Sequence, residues 1–357
     1  MIYGVIMAGG SGTRFWPESR KVQPKQLLKI VGDKTMIRST VERIRSEISP
    51  DRVLVVTTED QASEIRAELA ELGDGMVVAE PMGRNTAACV ALAAYKLQKM
   101  DPEAVMVVLP ADHLIRREQE FLEILKCGIE LVSHSEYLVT FGIVPHRPET
   151  GYGYIRMGER HSAIGRRTVY EVNRFVEKPD LDTARSYVES GSYLWNSGMF
   201  VWKARDVTRA FDKYLPSLSA AMRKIVPHLS TADESDALRR AYEQIESVSI
   251  DYGIMERADN VLVIPMDVDW NDVGCWASIE EVWSRDETGN AARGEFVALD
   301  STGCIVSSPH KLTAIIGVDD LIIVDTPDAL LICRKERAQE VRRVHEILKK
   351  KGCHHLL

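Results

Sequence analysis

The 357-residue chain contains no apolar run near the roughly 20 residues that a bilayer-spanning helix needs, so no membrane association is expected. Its start, Met-Ile-Tyr-Gly-Val-Ile, shows neither a basic segment nor a small-residue cleavage site, which argues against a secretory leader. The six cysteines, at positions 89, 127, 275, 304, 333 and 353, form no C-x-x-C pair. That scatter excludes a Cys-based zinc site or a disulfide frame and points to reduced thiols in a cytoplasmic protein. A basic excess is also missing: the formal charge is −8, which argues against a nucleic-acid partner. There is no long internal repeat, no low-complexity segment, and no Ser-His-Asp or Cys-His arrangement that would supply a nucleophile.

What remains is an ordinary globular composition, 45% hydrophobic and 27% charged, in a chain long enough for one large domain and a smaller one. The charge is uneven. Between Arg14 and Lys29 stand five cations and a single acid, Glu18. A positive patch in an acidic chain suggests a small anionic ligand such as a nucleotide. The patch lies in "MAGGSGTRFWPESRKVQPKQ" (7–26), directly after an apolar strand at 2–6. Neither familiar phosphate motif fits. A P-loop needs Gly-Lys-Ser/Thr, but Thr13-Arg14 follows Gly12, and Phe15 stands where the dinucleotide fingerprint needs its third glycine.

Apolar runs alternate with helical periodicity through the first 143 residues. Strands are predicted at 52–58, 76–80, 104–110 and 137–143. Helices are predicted along Ile37, Val41, Ile44 and Ile48, along Ala62, Ile65, Leu69 and Leu72, from Thr86 to Lys99 with Asn85 as N-cap, and over 118–133. "AVMVVLP" (104–110) is apolar throughout, as a strand buried on both faces must be. This alternation indicates a doubly wound α/β fold with a mixed, mainly parallel sheet. Beyond 144 the pattern changes to strands near 168–177 and 194–202 and helices within 204–247. A polar segment at 284–295 reads as a linker. Short strands follow, then a charged helix from Lys335 to Lys350.

Several motifs carry donors suited to phosphate, metal or sugar. The glycines of the opening loop allow backbone N–H groups to converge on an anion, with Ser11, Thr13, Arg14 and Lys25 adding side-chain donors. Asp112 in "LPADH" follows the carboxyl end of the strongest strand, where ligands of open α/β sheets bind; it can hold Mg²⁺ or cap the next helix. His113 beside it fits a hydrogen-bonding support. "DWNDVG" (269–274) offers Asp269 and Asp272 as a second metal arm or as turn formers. "VNRFVEKPD" (172–180) sets Glu177 and Lys178 side by side on an extended strand, for sugar hydroxyls and phosphate or as an exposed edge. "TGYGYI" (150–155) and "WNSGMF" (195–200) join glycine to aromatics; Asn196 suits a sugar, while Tyr152, Tyr154, Trp195 and Phe200 suit a packed core. The closing "CHHLL" reads as a frayed tail, with metal binding the less favoured use.

In this order, GGSGTR-F-WP-E-SR…PKQ, EPMGRNTA, PADH, TGYGYI, FVEKP, WNSGMF, SIDYGIMER and WNDVG, the segments resemble the mannose-1-phosphate guanylyltransferases of the sugar-nucleotidyltransferase superfamily. They run from residue 9 to 274, about three quarters of the chain. The resemblance implies transfer of GMP from GTP to mannose 1-phosphate, giving GDP-mannose and pyrophosphate, with Mg²⁺ as cofactor. It implies a catalytic domain over 1–288 and a small left-handed β-helix-like domain with a terminal helix over 289–357. It assigns Ala8, Gly9, Gly10, Ser11, Gly12, Thr13, Arg14 and Lys25 to the triphosphate, and Glu80, Arg84, Asn85 and Thr86 to base and ribose. Asp112 and Asp272 become metal ligands, Asp112 also bordering the nucleotide. Gly153, Glu177, Lys178 and Asn196 fall to the sugar phosphate, and Arg14, Lys25 and Lys178 are the catalytic cations. Phe15 and Glu18 depart from the family's usual residues, as do Gly253 and Ala88; Ala88 lies beside the base-recognition stretch, so it bears on nucleotide preference. Longer relatives add an isomerase domain, and a chain ending at Leu357 is expected to lack that activity. A homodimer is compatible with the pattern. Two alternatives stay open: a sister transferase acting on a heptose or glucose 1-phosphate, and a non-catalytic subunit that senses nucleotide-sugar.

Overall fold

The computed structural model describes every residue except Ser11 and Asp74. The chain forms two compact units. The first comprises Met1–Gly9, Thr40–Ala111 and Ile115–Trp270; the second comprises Gly10–Ser39, Asp112–Leu114 and Asn271–Leu357.

The first unit is built on a nine-stranded mixed sheet. Its strands are β1 (Ile2–Met7), β2 (Val53–Thr58), β3 (Val77–Glu80), β4 (Val105–Pro110), β5 (Leu138–Ile143), β6 (Gly153–Ile164), β7 (Arg167–Glu177), β8 (Tyr193–Lys203) and β9 (Val261–Met266). Across the sheet they run β3-β2-β1-β4-β8-β5-β9-β7-β6. The block β3-β2-β1-β4 is parallel. Strand β8 then enters antiparallel to both β4 and β5. Strands β5 and β9 are parallel, and the long hairpin β6–β7 closes the far edge.

Helices intervene in chain order as α1 (Met36–Arg43), α2 (Glu59–Glu68), α3 (Asn85–Met100), α4 (Glu118–Ser133), α5 (Leu181–Ser190), α6 (Ala204–Tyr214), α7 (Pro216–Ile225) and α8 (Glu234–Tyr242). The period-2 alternation of a strand sends its residues to opposite faces, and both faces here are covered. On one face, Tyr3, Val5, Leu54, Val56, Met106 and Val108 share a core with α3, α6, α7 and α8. On the other, α4 lies so close that a Cβ on Gly128 would come within 2.9 Å of Phe141. Helix α3 is alanine-rich and buried over most of its length, which its small side chains permit. Among the described residues no helix is long and apolar enough to cross a membrane.

The second unit contains short strands that stack as coils: β10 (Ala291–Arg293), β11 (Phe296–Leu299), β12 (Ile305–Ser307), β13 (Thr313–Ile316), β14 (Leu321–Asp325) and β15 (Leu330–Arg334). Strands β10, β12 and β14 pair in parallel, β11 pairs in parallel with β13, and β15 turns back antiparallel on β14. Cys304, Val306, Ile315 and Ile323 fill the interior of this β-helix-like stack. Asn290 ties one coil to the next, accepting from Cys304 N at 2.8 Å and donating to Ser301 O at 3.1 Å. The charged helix predicted from Lys335 begins instead as a 3₁₀ turn, Lys335–Glu340, before α9 (Val341–Lys350).

A separate core joins distant parts of this unit. Phe15, Trp16, Leu28 and Ile30 pack with Val273, Trp276 and Ile279, and with Ile305, Ile322, Val324, Leu331 and Val341. The turn around Phe15 and the segment 271–274 are therefore seated on the same hydrophobic base as the β-coils.

Candidate active site

The opening loop closes on itself within the second unit. Gly12 adopts φ +59°, the left-handed region that glycine reaches without strain. A Cβ there would lie 2.6 Å from the Cβ of Lys25, so only glycine permits this approach. The Gly12 carbonyl accepts from Phe15 N at 2.9 Å and from Ser19 Oγ at 2.8 Å, fixing the turn Thr13–Phe15. Pro24 leads into the next short turn, Lys25–Leu27, and delivers Lys25 inward, where it is only 5% exposed.

Lys25 is the hub. Its Nζ lies 2.8 Å from Asp112 Oδ2 and donates to the main-chain carbonyl of Asp272 at 2.6 Å. Arg14 Nη1 donates to Gly274 O at 3.1 Å. A Cβ on Gly274 would meet Asp272 Oδ2 at 2.9 Å, so the bare glycine leaves that carboxylate its place. Together Gly12, Thr13, Arg14, Phe15, Lys25, Asp112, His113, Asp272 and Gly274 line a cavity of about 300 Å³. Two cations and two carboxylates thus face one hollow, and the Arg14 bond to Gly274 spans 260 residues of sequence.

Burial pushes the Asp112 carboxyl up, but the Lys25 and His113 charges outweigh it and hold the group below the usual carboxylate range. Asp112 is therefore an anion at neutral pH. Among the described residues no group of three or more His, Cys, Asp or Glu could hold a metal. The donor set for a cation is then two hard carboxylates, Asp112 and Asp272, which suits Mg²⁺ completing its shell with phosphate oxygens and water. The residues present fit that ion.

Other expectations resolve differently. Asp112 does not cap a helix: the short strand Leu114–Ile115 follows it, and α4 begins only at Glu118 behind Arg117. Asp269 is absent from the cavity lining and belongs to the first unit, where it pairs with Arg116 at 3.4 Å. Ser11 lies outside the described residues. Gly10 O accepts from Gln26 Nε2 at 3.2 Å, while Ala8 N extends the sheet by donating to Val56 O at 2.8 Å.

Glu80 ends β3 in the first unit and is 3% exposed. Tyr242 Oη donates to its Oε1 at 3.0 Å. A Cβ on Gly9 would stand 3.4 Å from its Oε2. Burial outweighs the tyrosine bond and raises the carboxyl to about 8, so Glu80 is mostly protonated at pH 7. Arg84 and Thr86 flank it with structural bonds: Arg84 Nε donates to Tyr242 O at 2.9 Å, and Ile250 N donates to Thr86 Oγ1 at 2.9 Å. Asn85 is not the N-cap. It is the first residue of α3, at φ +65°, with its Oδ1 accepting from the adjacent Thr86 N at 2.8 Å.

A second cluster in this unit brings the sugar candidates together. Gly153 and Glu177 are register partners on β6 and β7, and a Cβ on Gly153 would stand 2.5 Å from Glu177 Oε2 and 3.5 Å from Asn196. Lys178 does not continue the strand to the opposite face. Strand β7 ends at Glu177, Lys178 takes φ +47°, and its Nζ folds back to 2.9 Å from Glu177 Oε1. Asn196 Nδ2 donates to Asp251 Oδ1 at 2.7 Å. Asp251 was not among the sequence candidates, although it stands inside "SIDYGIMER". It opens a π-helical turn, Asp251–Met255, a rare geometry often found at functional positions. Burial, with the Glu177 charge adding to it, raises the Asp251 carboxyl. Tyr154, Trp195 and Phe200 are buried packing residues, as the aromatic pattern allowed.

Two family profiles match successive stretches of the chain. "Nucleotidyl transferase" matches residues 3–289 and "MannoseP isomerase/GMP-like beta-helix domain" matches 294–348. The chain is 38% identical over 98% of its length to the mannose-1-phosphate guanylyltransferase of Klebsiella pneumoniae, covering 74% of that protein. It is 39% identical over 99% of its length to that named ManC in Salmonella typhimurium strain LT2, again covering 74%. A crystal structure described as a mannose-1-phosphate geranyltransferase from Thermus thermophilus superposes with a TM-score of 0.87 at 34% identity, covering 98% of this chain and 99% of that one. With a family profile covering most of its length and relatives of this similarity, the chain belongs to the nucleotidyl transferase family.

Proposed function

We propose that the chain transfers GMP from GTP to α-D-mannose 1-phosphate, releasing pyrophosphate and forming GDP-mannose. The sugar phosphate is its own nucleophile. Its second pKa is near the ~6 of a phosphate monoester, so at pH 7 it is largely dianionic and needs no general base. One of its oxygens attacks the α-phosphorus of GTP in line, the bond to the β-phosphate oxygen breaks, and pyrophosphate leaves with that electron pair. The obstacle is repulsion between two polyanions, and charge neutralisation with positioning is the remedy.

The observation that carries this reading is the position of Lys25, between the Asp112 carboxylate and the Asp272 carbonyl in a hollow that Arg14 also lines. Arg14 and Lys25 hold the β- and γ-phosphates and balance the charge of the departing pyrophosphate. Asp112 and Asp272 would hold Mg²⁺, which when bound neutralises phosphate oxygens and orients the chain of phosphates. Glu80, Arg84, Asn85 and Thr86 serve the nucleoside. Glu177, Lys178 and Asn196 serve the sugar phosphate beside the bare Gly153, and Asp251 sets the orientation of the Asn196 amide.

The proposal places catalysis in residues 1–288 and a β-helix-like domain in 289–357, supported by the ranges of the two profiles. A cytoplasmic location is supported by six unpaired thiols. The test is pyrophosphate release over a grid of nucleoside triphosphates and hexose or heptose 1-phosphates, with Mg²⁺ or EDTA. Release confined to GTP with mannose 1-phosphate, and abolished by EDTA, is expected. A preference for dTTP with glucose 1-phosphate, or nucleotide binding with no release, would overturn it.

A further inference from the structure

The segment that closes the chain is not a frayed tail. His354–Leu356 forms a 3₁₀ turn, anchored to α9 by Cys353 N donating to Leu348 O at 3.0 Å and closed by Leu356 N donating to Cys353 O at 3.1 Å. Its Leu356 carbonyl accepts from the indole Nε1 of Trp16 at 2.9 Å. Trp16 is the residue directly after the turn Thr13–Phe15 that carries Arg14, and it is 6% exposed. Its own carbonyl accepts from Trp276 Nε1 at 3.1 Å. Trp276 stands two residues beyond Gly274, whose carbonyl holds Arg14, and its ring packs on Phe15 at 5.0 Å. Trp16 therefore joins three pieces: the cationic turn, the loop of Asp272, and the turn at 354–356.

We propose that the turn His354–Leu356 braces the triphosphate loop from behind, and that Trp16 is the positioning residue through which it sets GTP affinity. This rests on reading residues 12–25 as the triphosphate loop. The physical basis is the cost of an orphaned donor. Without the Leu356 carbonyl, the Trp16 N–H loses the acceptor that fixes the indole, and the ring is no longer held in this orientation. Arg14 is two residues away on a tight turn, and small displacements of a positioned cation are enough to weaken it. Binding linkage is reciprocal, so GTP on the loop must also steady the turn behind it.

The experiment uses the full chain, Trp16→Phe, a deletion of residues 354–357, and the two combined. Phenylalanine keeps an aromatic ring and removes the N–H. Calorimetric titration with GTP is expected to show each single variant binding about three- to ten-fold more weakly. The KM for mannose 1-phosphate should stay put, and the combined variant should be no weaker than the weaker single, because both changes cut one link. Hydrogen exchange in the intact protein should show GTP slowing the amides of 353–357. Single variants that bind GTP as the parent does, or losses that multiply in the combination, would overturn the brace. Should Trp16→Phe fail to fold, the deletion and the exchange measurement decide. A parent that binds no GTP would overturn the reading of the loop itself, which is distinct from a parent that binds and variants that match it.

Discussion

At the scale of residues, Lys25 holds the opposed charges together. Replacing it with methionine keeps the length but removes the charge that faces Asp112 and the Asp272 carbonyl. Turnover is expected to fall by about 10²-fold or more, as when a preorganised donor is removed from a charge-stabilising site. Steady-state pyrophosphate release checks this, and a rate within a few fold of the parent would remove Lys25 from catalysis. Glu80 gives a prediction in pH. Its carboxyl lies near 8 in the folded chain against an ordinary value of 4.5, so the native state holds a proton that the unfolded state releases. Stability from this group is full below about 4.5 and is lost as the pH rises to about 8. Melting curves should therefore show Glu80→Gln losing less stability than the parent between pH 6 and 8; parallel curves would contradict it. Cations, glycines and Asp112 were legible in the sequence because their chemistry limits what they can do. Tyr242, which holds Glu80 from 162 residues away, and Asp251, 55 residues beyond Asn196, were not, because only folding pairs them.

At the scale of elements, the long buried strands could be read because unbroken apolar runs have few other uses, and β4 is buried from Val105 to Leu109. Turn geometry could not. That Lys178 folds back on Glu177 depends on a positive φ which lysine seldom adopts, and nothing in "EKP" signals it. The break in the charged helix at Val341 was equally hidden, since charged residues stand on both sides of it. The glycine turn is the element whose shape function needs most. Gly12→Ala is expected to cost both stability and GTP affinity, because the new methyl must sit at φ +59° and within 2.6 Å of Lys25 Cβ. A loss of about 1–3 kcal/mol follows from comparable overpacking, readable as a lowered denaturation midpoint. GTP affinity in that variant should fall together with it, and an unchanged affinity would show that the turn does not set Lys25.

At the scale of the molecule, an acidic chain of net charge −8 concentrates five cations in sixteen residues and seats them on a hydrophobic base. The compact units are not consecutive along the chain: residues 10–39, 112–114 and 271–357 assemble into one of them. Sequence periodicity reports local faces, so it showed the sheet and the coils but not that Phe15 and Trp16 share a core with Ile305, Val324 and Val341. The chemistry assigned to this assembly is cancellation of repulsion between two polyanions. The most direct measurement is a crystal structure of the protein grown with Mg²⁺ and a non-hydrolysable GTP. It should show the β- and γ-phosphates within about 3 Å of Arg14 and Lys25, and one ion about 2.1 Å from carboxylate oxygens of both Asp112 and Asp272. A triphosphate seated away from residues 12–14 and 25, or carboxylates that share no ion, would contradict it.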